Sequence, residues 1–148
     1  MPKTPWASAV AGSERLLQRG HHRIRMADVD AAGIIYFASP LRWQEGLVND
    51  WMATIGHPLS GLLASGFGSP CVEAAARYLR PMHLDDELDL RLVCERCGQK
   101  SFNLRMDAAT PDGDIGTQVR TTLVWTLTNS DGFAASADLP QWLRGALE

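Results

Sequence analysis

One helical pattern followed by several strand patterns is the feature of this sequence that most constrains its fold. From Ser39 the apolar residues recur at the spacing of one helix face, until Gly56 supplies a left-handed stop. Ser39 suits the N-cap and Pro40 the first helical position, so the pattern predicts a helix of about sixteen residues. Gly46 lies in its middle at a cost of roughly 1 kcal/mol relative to alanine. We therefore expect another backbone to approach the helix closely there.

The sequence beyond residues 57–70, a connection rich in glycine, serine and proline, has the two-residue period of strands. Four stretches show this period: residues 72–79, 88–93, 102–107 and 115–127. Turn signals separate them, at residues 80–86, 98–99 and 111–113. Strands joined by such short turns are typically antiparallel neighbours. The predicted fold class is therefore α+β.

The first twenty residues show no sustained period, so they predict a flexible or loosely packed N-terminal arm. Residues 22–26 alternate between polar and apolar side chains, as a short strand would. A chain of 148 residues matches one domain. We therefore expect a single domain over residues 21–148.

A compact chemical motif lies between this short strand and the helix. Residues 28–35 read Asp-Val-Asp-Ala-Ala-Gly-Ile-Ile and are followed by Tyr36 and Phe37. The motif brings a carboxylate, a glycine-permitted turn and a helix N-terminus within about ten residues, an arrangement able to attack a carbonyl and stabilise an oxyanion. On its own, however, an Asp-x-Asp before a glycine is more often a turn than a catalytic site.

Three segments together resemble one known family. Residues 28–37 resemble the Asp-x-Asp-x-x-Gly-aliphatic-aliphatic-aromatic signature of the 4-hydroxybenzoyl-CoA thioesterase family. Residues 78–88 are similar to its aromatic-x-x-Pro-x-x-x-Asp-Asp hairpin, and residues 100–102, Lys-Ser-Phe, to its strand start. The resemblance covers residues 21–128. It implies a hotdog fold, in which a curled, mostly antiparallel five-stranded sheet surrounds a long central helix.

The resemblance also implies a mechanism. Asp30 matches the catalytic carboxylate, which acts as a nucleophile on the thioester carbonyl or as a base for water. The backbone N–H of Phe37 matches the oxyanion donor, a contact worth about 2.7–4 kcal/mol in the transition state. Gly33 permits the turn, and Asp28 is expected to be a turn or capping residue. No cofactor is implied, because coenzyme A is part of the substrate.

Four further residues are candidates for binding. Tyr36 either contacts the substrate or packs in the core. Glu73, in a strand beside three alanines, is exposed, paired with a cation such as Arg77, or aimed into a pocket. The resemblance implies that this strand lines the acyl pocket. Lys100 with Ser101 matches the family's phosphate-contacting pair, although a lysine at a strand start is commonly only solvated.

Composition excludes several other classes of function. A net charge of −3 gives no electrostatic basis for binding nucleic acid. Cys94 and Cys97 have the spacing of half a zinc site, but no second pair follows, so no metal is expected. An odd number of cysteines argues against a disulfide framework. With no apolar run of about 20 residues, we expect no membrane span and a cytoplasmic protein.

A single sheet curled around a helix leaves an open edge, which symmetric pairing would cover. We therefore expect a homodimer or a homotetramer of dimers, and the resemblance implies active sites between subunits. The expected function is hydrolysis of an aromatic acyl-CoA of the hydroxybenzoyl, benzoyl, aminobenzoyl or dihydroxynaphthoyl type. The alternatives are a thioesterase for short aliphatic acyl-CoA or acyl carrier protein, and a non-catalytic module that binds CoA esters.

Overall fold

A five-stranded antiparallel sheet and one long helix form the framework of the structure, a computed structural model that describes residues 14–132 and 134–148. The strands are β1 (Arg15–Arg23), β2 (Phe67–Gly68), β3 (Cys71–Tyr78), β4 (Glu87–Cys97), β5 (Ser101–Ala109), β6 (Ile115–Val124), β7 (Thr126–Thr128) and β8 (Ala134–Ser136). The helices are α1 (Ser39–Thr54), α2 (Leu59–Ala64) and α3 (Gln141–Leu147), with a 3₁₀ turn at Met26–Asp28. The main sheet has the order β1-β4-β5-β6-β3, and a small sheet has the order β2-β7-β8.

Helix α1 covers one face of the main sheet, and the core lies between them. Its Trp43, Leu47 and Trp51 are buried in one apolar cluster with alternate residues of β4, β5 and β6. Burying each such side chain contributes about 1.5–3 kcal/mol. The α+β architecture and the antiparallel pairing of the strands joined by the turns at residues 98–99 and 111–113 are thus confirmed. The pairing expected across residues 80–86 is wrong, because β3 lies at the edge of the sheet beside β6 and does not pair with β4.

The boundary predicted at residue 20 falls too late in the chain, because β1 begins at Arg15 and pairs with β4 from Arg15 opposite Cys94 to Arg23 opposite Glu87. A register shift between Leu16 and Gln18 interrupts the alternation that would have revealed this strand. Residues 1–13 of the predicted arm lie outside the described residues.

The close backbone approach expected at Gly46 is wrong, and the glycine that makes room for a neighbour is Gly20, which lies against the side chain of Leu47. A side chain built at Gly46 would meet no atom within 4 Å, whereas a Cβ at Gly20 would lie 2.6 Å from Leu47 Cδ2. Strand β1 can therefore pack closely on α1 because Gly20 has no side chain.

The alternation predicted over residues 115–127 ends at Trp125. Trp125 is buried, but Thr126 is also buried and Leu127 is 44% exposed. The parity changes because the chain leaves the main sheet after Val124 and enters the small sheet as β7. The short elements α2, β2, β8 and α3 carry too few residues to show a period, and sequence reasoning missed them.

No helix in the described part of the chain is long and apolar enough to cross a membrane.

Candidate active site

The motif at residues 28–37 folds into a tight loop that is bonded to the connection between β3 and β4. Val29 forms a bridge with Ile35, and Ile34 forms another with His83. The loop closes through the N–H of Gly33, which donates to the carbonyl of Asp30 at 3.0 Å. Gly33 has a φ of 78°, so the turn needs a left-handed residue, as its sequence position predicted.

Asp30 stands exposed on this loop with one carboxylate oxygen engaged. Its Oδ1 accepts a hydrogen bond of 2.8 Å from the N–H of Ala32. Its Oδ2 meets no hydrogen-bond donor among the described residues. The turn interpretation and the catalytic one are therefore compatible, because one oxygen closes the turn while the other remains accessible to a ligand or water.

The peptide groups just before α1 form the second part of the site. The carbonyl of Phe37 accepts a hydrogen bond from the hydroxyl of Tyr78, at the end of β3. Within the described ranges, no acceptor meets the N–H of Phe37. Phe37 and Tyr36 are 65% and 45% exposed, with their ring centroids 4.5 Å apart. A free N–H at the positive end of a helix is suited to stabilising an oxyanion.

Asp28 bonds the loop to the neighbouring elements β1 and α1. Its Oδ2 lies 2.8 Å from the backbone nitrogen of Arg25 and 2.8 Å from His22 Nε2, and its Oδ1 accepts from Trp43 Nε1 at 3.1 Å. Its carbonyl accepts from the N–H of Tyr36 and the hydroxyl of Ser39. The contact with Arg25 caps the 3₁₀ turn, so the turn or capping role expected from the sequence is confirmed. Asp28 also ties β1 and α1 to the loop that carries Asp30.

Two opposing effects set the charge state of Asp28. Burial disfavours the carboxylate, but the hydrogen bonds from Arg25, Trp43 and His22 outweigh this, so the pKa of Asp28 lies below its ordinary value. This difference stabilises the folded state above the unfolded-state pKa of about 3.9. The contribution is lost as the pH falls through the lowered pKa of the folded protein.

We expect Asp28→Ala to lower the free energy of unfolding by about 2–3 kcal/mol, because it leaves the His22 and Trp43 donors without their acceptor. Urea unfolding at pH 7 measures this effect, with the exposed turn residue Asp112→Ala as the matched control. The difference between wild type and Asp28→Ala should shrink when the pH is lowered below about 4. If Asp28→Ala were as stable as wild type at pH 7, the anchoring role would be wrong.

An open cavity of about 430 Å³ lies beside α1, between that helix and strands β3 and β6. Its wall is mostly apolar and includes Leu41, Val48, Ala74 and Leu123. Of the three consecutive alanines in β3, Ala74 lines this space. Gln44 also reaches the cavity, which sequence reasoning missed because a lone glutamine within an apolar helix face gives no pattern.

Glu73 does not line this cavity, although Ala74 of the same strand does. It lies opposite Thr122, whereas Ala74 lies opposite the inward-facing Thr121. A register shift between Cys71 and Glu73 adds one residue there and turns Glu73 to the other face of the sheet. Glu73 is exposed, which is one of the three alternatives that the sequence left open.

Lys100 and Ser101 lie at the opposite end of the sheet from Asp30. They follow the end of β4, whereas the Asp30 loop contacts the connection that precedes β4. The eleven residues of β4 separate the two ends by roughly 30 Å. Lys100 is exposed, and its ammonium has no partner among residues 14–132 and 134–148.

Across the described residues, no group of three or more His, Cys, Asp and Glu side chains is arranged to hold a metal ion. Burial raises the pKa of Cys94 to about 11, so this thiol is protonated at neutral pH.

Comparison with known proteins gives a consistent match. The model of the thioesterase-like superfamily matches residues 24–147. A 1,4-dihydroxy-2-naphthoyl-CoA hydrolase from Thermosynechococcus vestitus is 30% identical over 127 residues, covering 84% of this chain and 87% of the relative. A 4-hydroxybenzoyl-CoA thioesterase from a Pseudomonas species is 27% identical, covering 74% and 82%.

A solved structure shows the same fold. The 1,4-dihydroxy-2-naphthoyl-CoA thioesterase from Synechocystis superposes with a TM-score of 0.78 at 21% identity, covering 87% of this chain and 93% of its own.

Proposed function

This chain belongs to the thioesterase-like superfamily, and from that premise we propose that it hydrolyses the thioester bond of aromatic acyl-CoA esters. The observation that carries the proposal is that one loop before α1 holds both an Asp30 carboxylate oxygen and a Phe37 N–H that have no hydrogen-bond partner among the described residues. The relatives described above are named for dihydroxynaphthoyl and hydroxybenzoyl esters, which supports an aromatic acyl group.

The chemistry follows from these two groups. Asp30 either attacks the carbonyl carbon directly or removes a proton from an attacking water, and both routes require its ionised form. As the tetrahedral oxyanion forms, the N–H of Phe37 donates to it. The carbon–sulfur bond then breaks, and the thiolate of coenzyme A leaves and takes up a proton. In the nucleophilic route, water subsequently hydrolyses the acyl–aspartate anhydride.

A second copy of the chain completes the proposed site. Strand β3 is an edge of the main sheet, and Val72 on it is 62% exposed. Such an edge favours pairing with the same strand of a partner. The two ends of β3 lie near different parts of the site, because Tyr78 contacts Phe37 whereas Pro70, just before β3, bonds to Val124 beside the Lys100 turn.

Antiparallel pairing about a two-fold axis therefore brings the Asp30 end of one subunit beside the Lys100 end of the other. Lys100 of the partner subunit would then face the phosphates of a coenzyme A whose thioester lies at Asp30. The separation of the two residues within one chain thus supports a site shared between subunits.

The test is thiol release from a panel of benzoyl, hydroxybenzoyl, aminobenzoyl, dihydroxynaphthoyl, acetyl and hexanoyl esters of coenzyme A. We expect kcat/KM for the best aromatic ester to exceed that for acetyl-CoA by at least about tenfold, because a ring buries more apolar surface in the pocket. A preference for hexanoyl-CoA would instead identify an aliphatic thioesterase. Binding without release from any ester would identify a non-catalytic module.

A further inference from the structure

His22 on β1 contacts the loop that carries Asp30. Its Nε2 lies 2.8 Å from Asp28 Oδ2, and the His22 and Asp28 side chains are 25% and 14% exposed. The imidazole ring also packs against Trp43 of α1, with 4.8 Å between the ring centroids and an angle of 38° between the ring planes. The His22 side chain therefore joins a strand, a helix and the loop.

The Asp28 carboxylate decides which nitrogen of His22 carries a proton. A carboxylate oxygen can only accept a hydrogen bond, so the nitrogen that faces it must be a donor. Nε2 is therefore protonated, either in one neutral tautomer or in the imidazolium. His22 thus donates to Asp28 in both of its charge states.

Both arms of the loop that holds the proposed site begin at Asp28. Asp30 follows it by two positions, and the carbonyl of Asp28 accepts from the N–H of Tyr36 at 2.7 Å. The proposed oxyanion donor, the N–H of Phe37, belongs to the next residue. The N–H of Asp30 donates to the carbonyl of Ile34 at 3.0 Å, so the two arms are bonded to each other. A displacement of Asp28 therefore shifts both the carboxylate and the oxyanion donor.

The three donors to the Asp28 carboxylate come from different parts of the fold. The N–H of Arg25 belongs to the same 3₁₀ turn as Asp28, so this contact is local. Trp43 donates from α1, and His22 donates from β1. Among these three donors, His22 is thus the one that fixes Asp28 relative to the main sheet. A displacement of about 1 Å at a reacting group can lower a rate by about 10²-fold.

We propose, resting on the thioesterase function above, that His22 is a positioning residue for the reaction. Its Nε2–H holds Asp28, and through Asp28 it holds the Asp30 carboxylate and the Phe37 N–H in the geometry that the tetrahedral intermediate requires. His22 contacts neither the ester nor the attacking water, and it transfers no proton. Its loss should therefore lower kcat while KM for the ester changes little.

Two substitutions separate the hydrogen bond from the packing of the ring. His22→Phe keeps a ring against Trp43 and removes the donor. His22→Gln removes the ring and keeps an N–H at a similar distance from the backbone. On the best aromatic ester, His22→Phe should lower kcat by about 10–100-fold with KM within about threefold of wild type. His22→Gln should keep kcat within about threefold.

His21→Phe is the matched control, because it makes the same chemical change at the neighbouring histidine, which contacts Glu87 and not the loop. It should keep wild-type kcat. Equal losses of kcat in His22→Phe and His22→Gln would assign the effect to the ring and overturn the proposal. An inflection in the dependence of kcat on pH that is present in wild type and absent in His22→Gln would identify an acid or base, and would overturn it as well.

Hydrogen exchange tests the positioning of the loop without any substrate. In His22→Phe the N–H groups of Asp30 and Tyr36, which close the loop, should exchange at least about tenfold faster relative to those in the centre of β5. Equal acceleration of both sets would indicate a general loss of stability, and unchanged rates in the loop would show that His22 does not hold it. Each of these two results would overturn the proposal.

The two measurements separate this inference from the proposed function. If wild type hydrolyses the esters and His22→Phe keeps its kcat, the positioning role is wrong and the thioesterase function stands. If wild type hydrolyses none of the esters, the proposed function fails. Hydrogen exchange then decides by itself whether His22 holds the loop.

Discussion

Replacing Asp30 with asparagine is expected to lower kcat on the preferred ester by a factor on the order of 10³ or more, the usual effect of removing an essential nucleophile or base. Asparagine has nearly the same shape, and its carbonyl oxygen can still accept the hydrogen bond from the N–H of Ala32 that closes the turn. The substitution therefore removes the charge and the nucleophile while keeping the loop. Single-turnover thiol release measures the chemical step, and calorimetry measures ester binding.

In Asp30→Asn the affinity for the ester should change much less than kcat, since neither proposed route uses Asp30 to bind the unreacted ester. Asp112→Asn is the matched control, because it makes the same chemical change in an exposed turn between β5 and β6. The control should keep wild-type kcat. If Asp30→Asn kept kcat within about tenfold of wild type, the residue would be a turn former only, and the proposed mechanism would be wrong.

The spacing of apolar residues predicted the helix and the strands in which those residues recur with a single period. Helix α1 ends at Thr54, close to the stop predicted at Gly56, because its apolar stripe extends almost to that glycine. The strands β4, β5 and β6 alternate because one face is buried against α1. The left-handed conformation of Gly33 was also predictable, since glycine in a turn adopts a positive φ more readily than any other residue.

The features that sequence reasoning missed depend on tertiary placement. The register shift that turns Glu73 outward adds a single residue with no composition signal. The Nε2 of Gln44 is buried without a hydrogen-bond partner among the described residues, which no sequence spacing can reveal. The joint contact of His22 and Trp43 with Asp28 links residues from three separate elements. The contacts of Asp28 in particular decide how the loop that carries Asp30 is held.

Mixing two inactive variants is expected to restore activity if the site is shared between subunits. Asp30→Asn damages one end of each chain and Lys100→Glu the other, and in this structure these ends lie roughly 30 Å apart. In a dimer of one variant with the other, both lesions fall in the same site and the second site is intact. Random exchange makes half of the dimers mixed, so about a quarter of the wild-type activity should return.

The reverse mixture makes the test decisive. Wild type exchanged with the double variant Asp30→Asn/Lys100→Glu gives mixed dimers in which each shared site carries one lesion. Activity should then fall to about a quarter of wild type if sites are shared, but only to about half if each chain holds a complete site. Subunits are exchanged by unfolding and refolding together, and thiol release is assayed below KM, where loss of a phosphate contact is felt most strongly. If the single variants failed to complement and the reverse mixture kept half its activity, Lys100 would act within its own chain or not at all, and the β3 pairing would lose its functional support.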